Sequence, residues 1–339
     1  MARDHKGVLL PSRRSFCSTL IGVLVAPSVA LAQASKAVRR IGWLGSGAPA
    51  TPEEIWREAE PLRELGWVEG QNLRVERRYD NGRAEALQPL AEELVRAQVE
   101  IILTNGTPAT VAAKRATSTI PILIEWSGDP VLLGLVASLA RPGGNVTGYT
   151  QASPELYAKH LSLLKELLPR LQRIGVLMPV GPVGNPYYRA ASGQLQDSCQ
   201  LLGLDAVFVE VAGGREIVGA IAQLVREHAQ ALMLPSEAFF YEHRFEIVGA
   251  ATTRGLPTIS DYDIMVREAG ALMSYSASEV EHNRIRAEYI DRILRGAKPA
   301  DLPVRRPAKF ELVINLKTAR ALELPIPKEL LLRADEVIQ

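Results

Sequence analysis

The sequence predicts an α/β protein of two Rossmann-like lobes, each built on a parallel sheet covered by helices. Short apolar runs alternate with longer helical patterns along the chain, as in open sheets with helices on both faces. The alternation repeats at an offset of about 130 residues. A length of 339 residues, 47% hydrophobic and 23% charged, is ordinary globular composition and too long for one average domain.

In the first half the strand candidates are RRIGWLG (39–45), LRVERRY (73–79), EIILTN (100–105), IPILIEW (120–126) and NVTGYT (145–150). The second half offers RIGVLMP (173–179), DAVFVEV (205–211), ALMLPS (231–236), PTISDY (257–262), ALMSYS (271–276) and KFELVIN (309–315). Between most of them lie amphipathic helices such as LQPLAEELVRAQ and AIAQLVREHAQ. RRIGWLG recurs as QRIGVLM, IILTNGTPA as ALMLPSEAF, and IPILIEWSGDP as LPTISDYDIM. Each half therefore reads as an open lobe of four or five parallel strands.

Residues 1–32 read as an export leader. Arg3, Lys6, Arg13 and Arg14 precede an uncharged run, FCSTLIGVLVAPSVALA (16–32), which is short for a membrane span, broken by Pro27, and closes on the small-x-small triplet Ala30-Leu31-Ala32. SRRSF (12–16) resembles a twin-arginine signal. Cleavage after Ala32 changes the formal charge from +1 to −2, which gives no electrostatic footprint for nucleic acid. Cys17 stands before the apolar run, not at its end as a lipid anchor requires, so Cys199 is the one thiol left and no internal disulfide forms.

Ligands of open parallel sheets bind beyond the carboxyl ends of the strands, and two facing lobes bring those ends to one cleft. The loops there carry Ser46, Gly47, Asn105, Gly106, Thr107, Trp126, Ser127 and Asp129 from the first half. The second half contributes Asn185, Tyr187, Ser236, Glu237, Asp261 and Tyr262. Hydroxyls, amides, a few carboxylates and three aromatics suit a small polar molecule with a flat or apolar part. In ILTNGTPAT (102–110) a glycine turn opens a helix, a corner whose free amides would hold an anion. Two readings stay open for Asp129, a ligand contact or else helix capping or turn chemistry, since Asp-Pro is a common helix start. Trp126, Tyr187 and Tyr262 are equally open between ligand contact and core packing.

Enzyme signatures are weak. GSGAPA (45–50) fits G-x-G-x-x-A after a strand, but Pro49 and Pro52 intrude where the helix should open and no acid follows about 20 residues on. There is neither a G-x-x-x-x-G-K-[ST] phosphate loop nor a G-x-S-x-G elbow. His5, His160, His228, His243 and His282 are scattered, without metal-ligand spacing, and Cys199 lies in a helical pattern as a packed small hydrophobe.

Three long stretches carry a family likeness: GDPVLLGLVASLARPGGNVTGYT (128–150), EYIDRILRGAKPADLPV (288–304) and KFELVINLKTARALELPIPKELLLRADEVI (309–338). They resemble the ABC-transporter substrate-binding proteins that include tryptophan and tyrosine binders. The resemblance implies a type I periplasmic binding protein with three interlobe crossings, placed near Tyr149, Ser274 and Pro303. It implies a first lobe of 38–148 plus 275–303 and a second of 149–274 plus 304–339, with KFELVIN closing the second sheet. It also implies a monomeric periplasmic receptor that delivers a small solute to a permease, with no cofactor and no catalytic residue. Carried onto this chain, the family's cleft falls on Ser46, Asn105–Thr107, Trp126–Asp129, Asn185, Ser236 and Asp261. An exported cofactor-dependent enzyme or a ligand-sensing module using the same cleft are the competing readings.

Overall fold

Twelve strands and twelve α-helices are assigned in the computed structural model, which describes residues 38–150, 154–179, 186–235 and 237–339. The leader and the 33–37 segment lie outside the described residues. The first half runs β1 (Arg39–Gly45), α1 (Pro52–Glu64), β2 (Leu73–Tyr79), α2 (Leu87–Arg96), β3 (Ile101–Asn105), α3 (Thr107–Ala116), β4 (Ile122–Glu125) and β5 (Val146–Gly148). Then follow α4 (Pro154–Leu167), β6 (Arg173–Pro179), α5 (Pro186–Leu201), β7 (Asp205–Val211), α6 (Ile217–Arg226), β8 (Ala231–Leu234), α7 (Ala238–Glu242), α8 (Arg244–Thr253) and β9 (Thr258–Ser260). The chain ends with α9 (Ile264–Arg267), β10 (Met273–Ala277), α10 (Glu279–Leu294), β11 (Phe310–Asn315), α11 (Leu316–Ala321), α12 (Lys328–Arg333) and β12 (Glu336–Ile338).

The strands form two sheets, ordered β2-β1-β3-β4-β5 and β12-β11-β10-β9-β8-β6-β7. The series β2-β1-β3-β4 and β7-β6-β8-β9 have the same order, so the repeat seen in the sequence is a repeat of topology. Its packing recurs too. A Cβ on Gly42 of β1 would stand 3.1 Å from Leu94 of α2, and one on Gly175 of β6 would stand 2.9 Å from Leu224 of α6. In both halves a mid-strand glycine lets the second helix seat a leucine directly on the sheet.

The second sheet departs from the expected four or five parallel strands. β10 runs antiparallel to β11, and β12 pairs parallel beyond it, so KFELVIN is the penultimate strand and the three-residue EVI forms the edge. EVI is too short to show strand periodicity. The antiparallel step follows from the path: between β10 and β11 the chain leaves the second sheet. α10 packs on α1, and its Ile285, Tyr289, Ile290 and Ile293 share a core with Ile41, Leu103 and Leu123 of the first sheet. On the way back Thr147 Oγ1 donates to Leu302 O at 2.7 Å, and Arg305 N donates to Gly148 O at 2.9 Å while Thr150 N donates to Arg305 O at 3.0 Å. The two segments that pass from the first sheet to the second thus lie side by side and parallel.

α1 begins with a capping box: Glu54 N donates to Thr51 Oγ1 at 3.3 Å and Thr51 N donates to Glu54 Oε2 at 2.6 Å. Pro52 occupies the first turn, where its missing N–H costs nothing, so it starts the helix and does not obstruct it.

Candidate functional site

The carboxyl ends of β1, β3 and β4 form a continuous ledge. Ser46 N donates to Asn105 O at 3.3 Å, and Gly106 N donates to Glu125 O at 3.1 Å. Thr107 Oγ1 accepts from Gly128 N at 2.9 Å, which ties the start of α3 to the loop after β4. Ser46, Asn105, Gly106, Thr107, Trp126 and Ser127 are brought together here, as the sequence led one to expect. The anion corner is corrected in one respect: the Gly106 amide, at φ 90°, is spent on the neighbouring strand. The polar side chains at the ledge are hydroxyls and the Asn105 amide. Among the described residues the buried Oγ of Ser46 and of Ser127 and the hydroxyl of Tyr149 have no hydrogen-bond partner. Orphaned buried hydroxyls cost about 1–3 kcal/mol each, so these groups call for a polar partner.

Asp129 turns to neighbouring backbone: its Oδ1 accepts from Val131 N at 2.9 Å and Leu132 N at 3.2 Å in a turn, and no helix is assigned between β4 and β5 among the described residues. Gly47 belongs to a turn and not to a dinucleotide loop. Its amide donates to Asp80 Oδ1 at 2.6 Å, and the same oxygen accepts from Gly82 N at 2.9 Å. Asp80 is the acid at the end of the second strand that the spacing argument missed, and it is occupied with backbone.

Trp126 has φ 44°, an uncommon conformation for a bulky residue that costs of order 1–3 kcal/mol. Its neighbours hold it on both sides. Glu125, 1% exposed, lies 3.1 Å from Arg286 Nη1 and 3.3 Å from His282 Nε2, both on α10. Arg286 reaches on to Glu58 O at 2.7 Å. The Glu125 carboxyl is held below its ordinary range: burial alone would raise it, but the charge of Arg286, with His282, outweighs burial. The Trp126 indole lies 4.4 Å from the His282 ring and 5.5 Å from the ring of Tyr262, which follows β9 of the other sheet. His282 in turn stands 4.7 Å from Tyr149. Trp126 and Tyr262 therefore meet between the loops that follow β4 and β9, one from each sheet.

On the second side Asp261 and Glu237 are buried. Burial pushes the Tyr157 hydroxyl up, and the negative charges of Asp261, Glu237 and Asp129 push it further, so three carboxylates bear on one spot. Asn185, Ser236 and the side chain of Tyr187 lie outside the described residues. His282, Arg286, Tyr149 and Tyr157 were missed from the sequence. The one available signal was the alternation of His282 and Arg286 with Ile285 on a helix whose apolar face is buried.

A separate cavity of about 400 Å³ lies under α1, lined by Trp43, Trp56, Trp67, Leu103, Arg286 and Ile290 among others, and contains none of the expected site residues. Leu62 is the buried side chain of α1. Among the described residues no group of three or more His, Cys, Asp or Glu is placed to hold a metal ion, and no helix is long and apolar enough to cross a membrane.

Comparison with known proteins agrees with this geometry. A tyrosine-binding protein of Clostridioides difficile is 27% identical over 263 residues, 78% of this chain and 74% of that protein. The ABC domain from Streptococcus pneumonia in complex with L-Trp superposes with a TM-score of 0.80 at 24% identity, covering 89% of this chain and 100% of that one. The ligand-free, open structure of a substrate binding protein with adhesive properties from Clostridium difficile, with the same identity and coverage, gives 0.62. The family model for ABC transporter substrate binding proteins matches residues 58–338, and the chain belongs to that family.

Proposed function

We propose that this protein is the exported solute receptor of an ABC importer and that it grips an amino acid, in the first instance an aromatic one, between the carboxyl edges of its two sheets before passing it to a permease. The observation that carries the reading is the meeting of Trp126 and Tyr262 across the sheets, 5.5 Å apart, beside the Ser46, Thr107 and Ser127 hydroxyls on one side and Asp261 and Glu237 on the other. A zwitterion fits that division of charge. Its carboxylate takes the hydroxyls, its ammonium takes the acids, and its side chain lies against the aromatic walls. The names of the tyrosine-binding relative and of the L-Trp complex point to the same class.

Residues 1–32 then direct the chain to the periplasm, where it works as a monomer, and the two lobes hinge at the three crossings, the expected bound at 275 moving to 278 because Tyr275–Ala277 stay paired with β11 in the second sheet. The contacts between the sheets and the better match to the liganded relative support assigning the present form as closed. Solute shifts the hinge equilibrium only by its preference for that form. Asn185, Tyr187 and Ser236 are assigned to the second wall.

Titration calorimetry with L-tyrosine, L-tryptophan, tyramine and 3-(4-hydroxyphenyl)propionate tests this. Binding of the amino acids, with loss of binding for tyramine (no carboxylate) and for the propionate (no ammonium), is expected. Equal binding of all four, or of none, would overturn the zwitterion assignment.

A further inference from the structure

Beside the grip, with the Tyr241 ring 6.5 Å from that of Tyr262, α7 of the second sheet's side reaches over to the first. Tyr241 Oη donates to Glu54 Oε1 at 2.5 Å, and the Glu242 carboxylate accepts from Ala48 N. Both partners are themselves braced. Glu54 is the acid of the α1 capping box, and Arg244 holds Tyr241 by donating to its carbonyl at 2.8 Å and lying 4.7 Å from its ring centroid. The approach of Glu242 is possible because residue 47 has no side chain. A Cβ on Gly47 would stand 2.5 Å from Glu242 Oε1 and 2.6 Å from its Cδ.

We propose that Tyr241 and Glu242 form a clasp that holds the two lobes together by itself, so that they set solute affinity without touching the solute. The proposal rests on the reading of the protein as a hinged solute receptor, but it concerns the closed state and not the identity of the solute. Two hydrogen bonds to carboxylates join the lobes where α7 meets the start of α1, so part of the population is closed before solute arrives. The affinity seen is the intrinsic affinity scaled by that closed fraction. A hydrogen bond to a charged group at a partly exposed site is worth roughly a factor of 10 in the closed-to-open ratio. The clasp therefore alters every solute's affinity by the same factor and leaves selectivity unchanged.

The test is a pair of spin labels on cysteines introduced at the exposed Arg96 and Arg226, one on each side. Cys199 is buried, its thiol pushed up to about 11, and stays unlabelled. Interlobe distances are measured for the parent, for Tyr241→Phe, for Glu242→Ala and for Gly47→Ala, without solute and with L-tyrosine or L-tryptophan. The expected result is a detectable closed population in the solute-free parent that falls about 10-fold in each variant. Both amino acids should lose the same factor in affinity, with melting temperatures of Tyr241→Phe and Glu242→Ala near that of the parent. A wholly open solute-free parent, or variants whose distances match the parent's, would overturn the clasp. If neither amino acid binds the parent, the solute assignment fails, while the solute-free distances still decide the clasp.

Discussion

Replacing Arg286 by Met removes a buried cation that faces Glu58 and Glu125, and the cost follows from burial. Glu125 is 1% exposed and Arg286 6%, with 3.1 Å between Nη1 and Oε2. With the guanidinium in place, the Glu125 carboxyl is held below its ordinary value of 4.5, so this group adds stability above that pH and loses it as pH falls. Without Arg286, desolvation dominates and Glu125 must take up a proton to fold. Starting from 4.5, protonation at pH 7 costs about 1.4 kcal/mol per unit, or roughly 3–4 kcal/mol, in line with the cost of breaking other buried pairs. Because the cost is a proton uptake, it must shrink on acidification, by about 2 kcal/mol between roughly pH 7 and pH 5.5. Urea unfolding of parent, Arg286→Met and Arg286→Met/Glu125→Gln at both pH values measures this. The double variant, with no carboxylate left to protonate at position 125, should recover most of the loss and lose its pH dependence. A deficit below about 1 kcal/mol at pH 7, or one of equal size at both pH values, would refute the reasoning.

Two further outcomes are expected. His160 is buried, donates from Nε2 to Tyr275 O at 2.7 Å, and is lowered to about 4 by desolvation. The unfolded chain protonates it first, so its neutral form favours folding above about 6.5 and that stability drains away as pH falls toward 4. At pH 5 the loss is about 2 kcal/mol, and His160→Gln should flatten the acid limb of the stability profile by that amount relative to its own value at pH 7. Trp126→Gly places at φ 44° a residue that accepts it without strain, so unfolding free energy should change by no more than about 1 kcal/mol. L-tyrosine affinity, in contrast, should fall at least about 10-fold in calorimetry through loss of the aromatic wall. An unaltered affinity would remove Trp126 from the site.

Local chemistry made much of this molecule legible. Apolar runs marked the inner strands β3, β4, β6 and β8, because a strand buried on both faces must be continuously hydrophobic, and the repeat of Gly42 as Gly175 announced two similar lobes. The loops after the parallel strands were expected at a ligand because parallel sheets expose their carboxyl ends, and the structure links Ser46 and Thr107 along one ledge and sets Trp126 against Tyr262. Tertiary structure decided how those groups are used. The Gly106 amide and the Asp129 carboxylate are consumed by nearby backbone. Glu125, separated by 161 residues from Arg286, owes its charge to a helix that returns to the first sheet only after β10. Tyr241 reaches Glu54 across 187 residues from a helix of five. Periodicity in a sequence reports which face of an element is buried, because burial is a property of each element. Which side chains pair across two lobes depends on where the crossings bring them, and no local pattern encodes that distance.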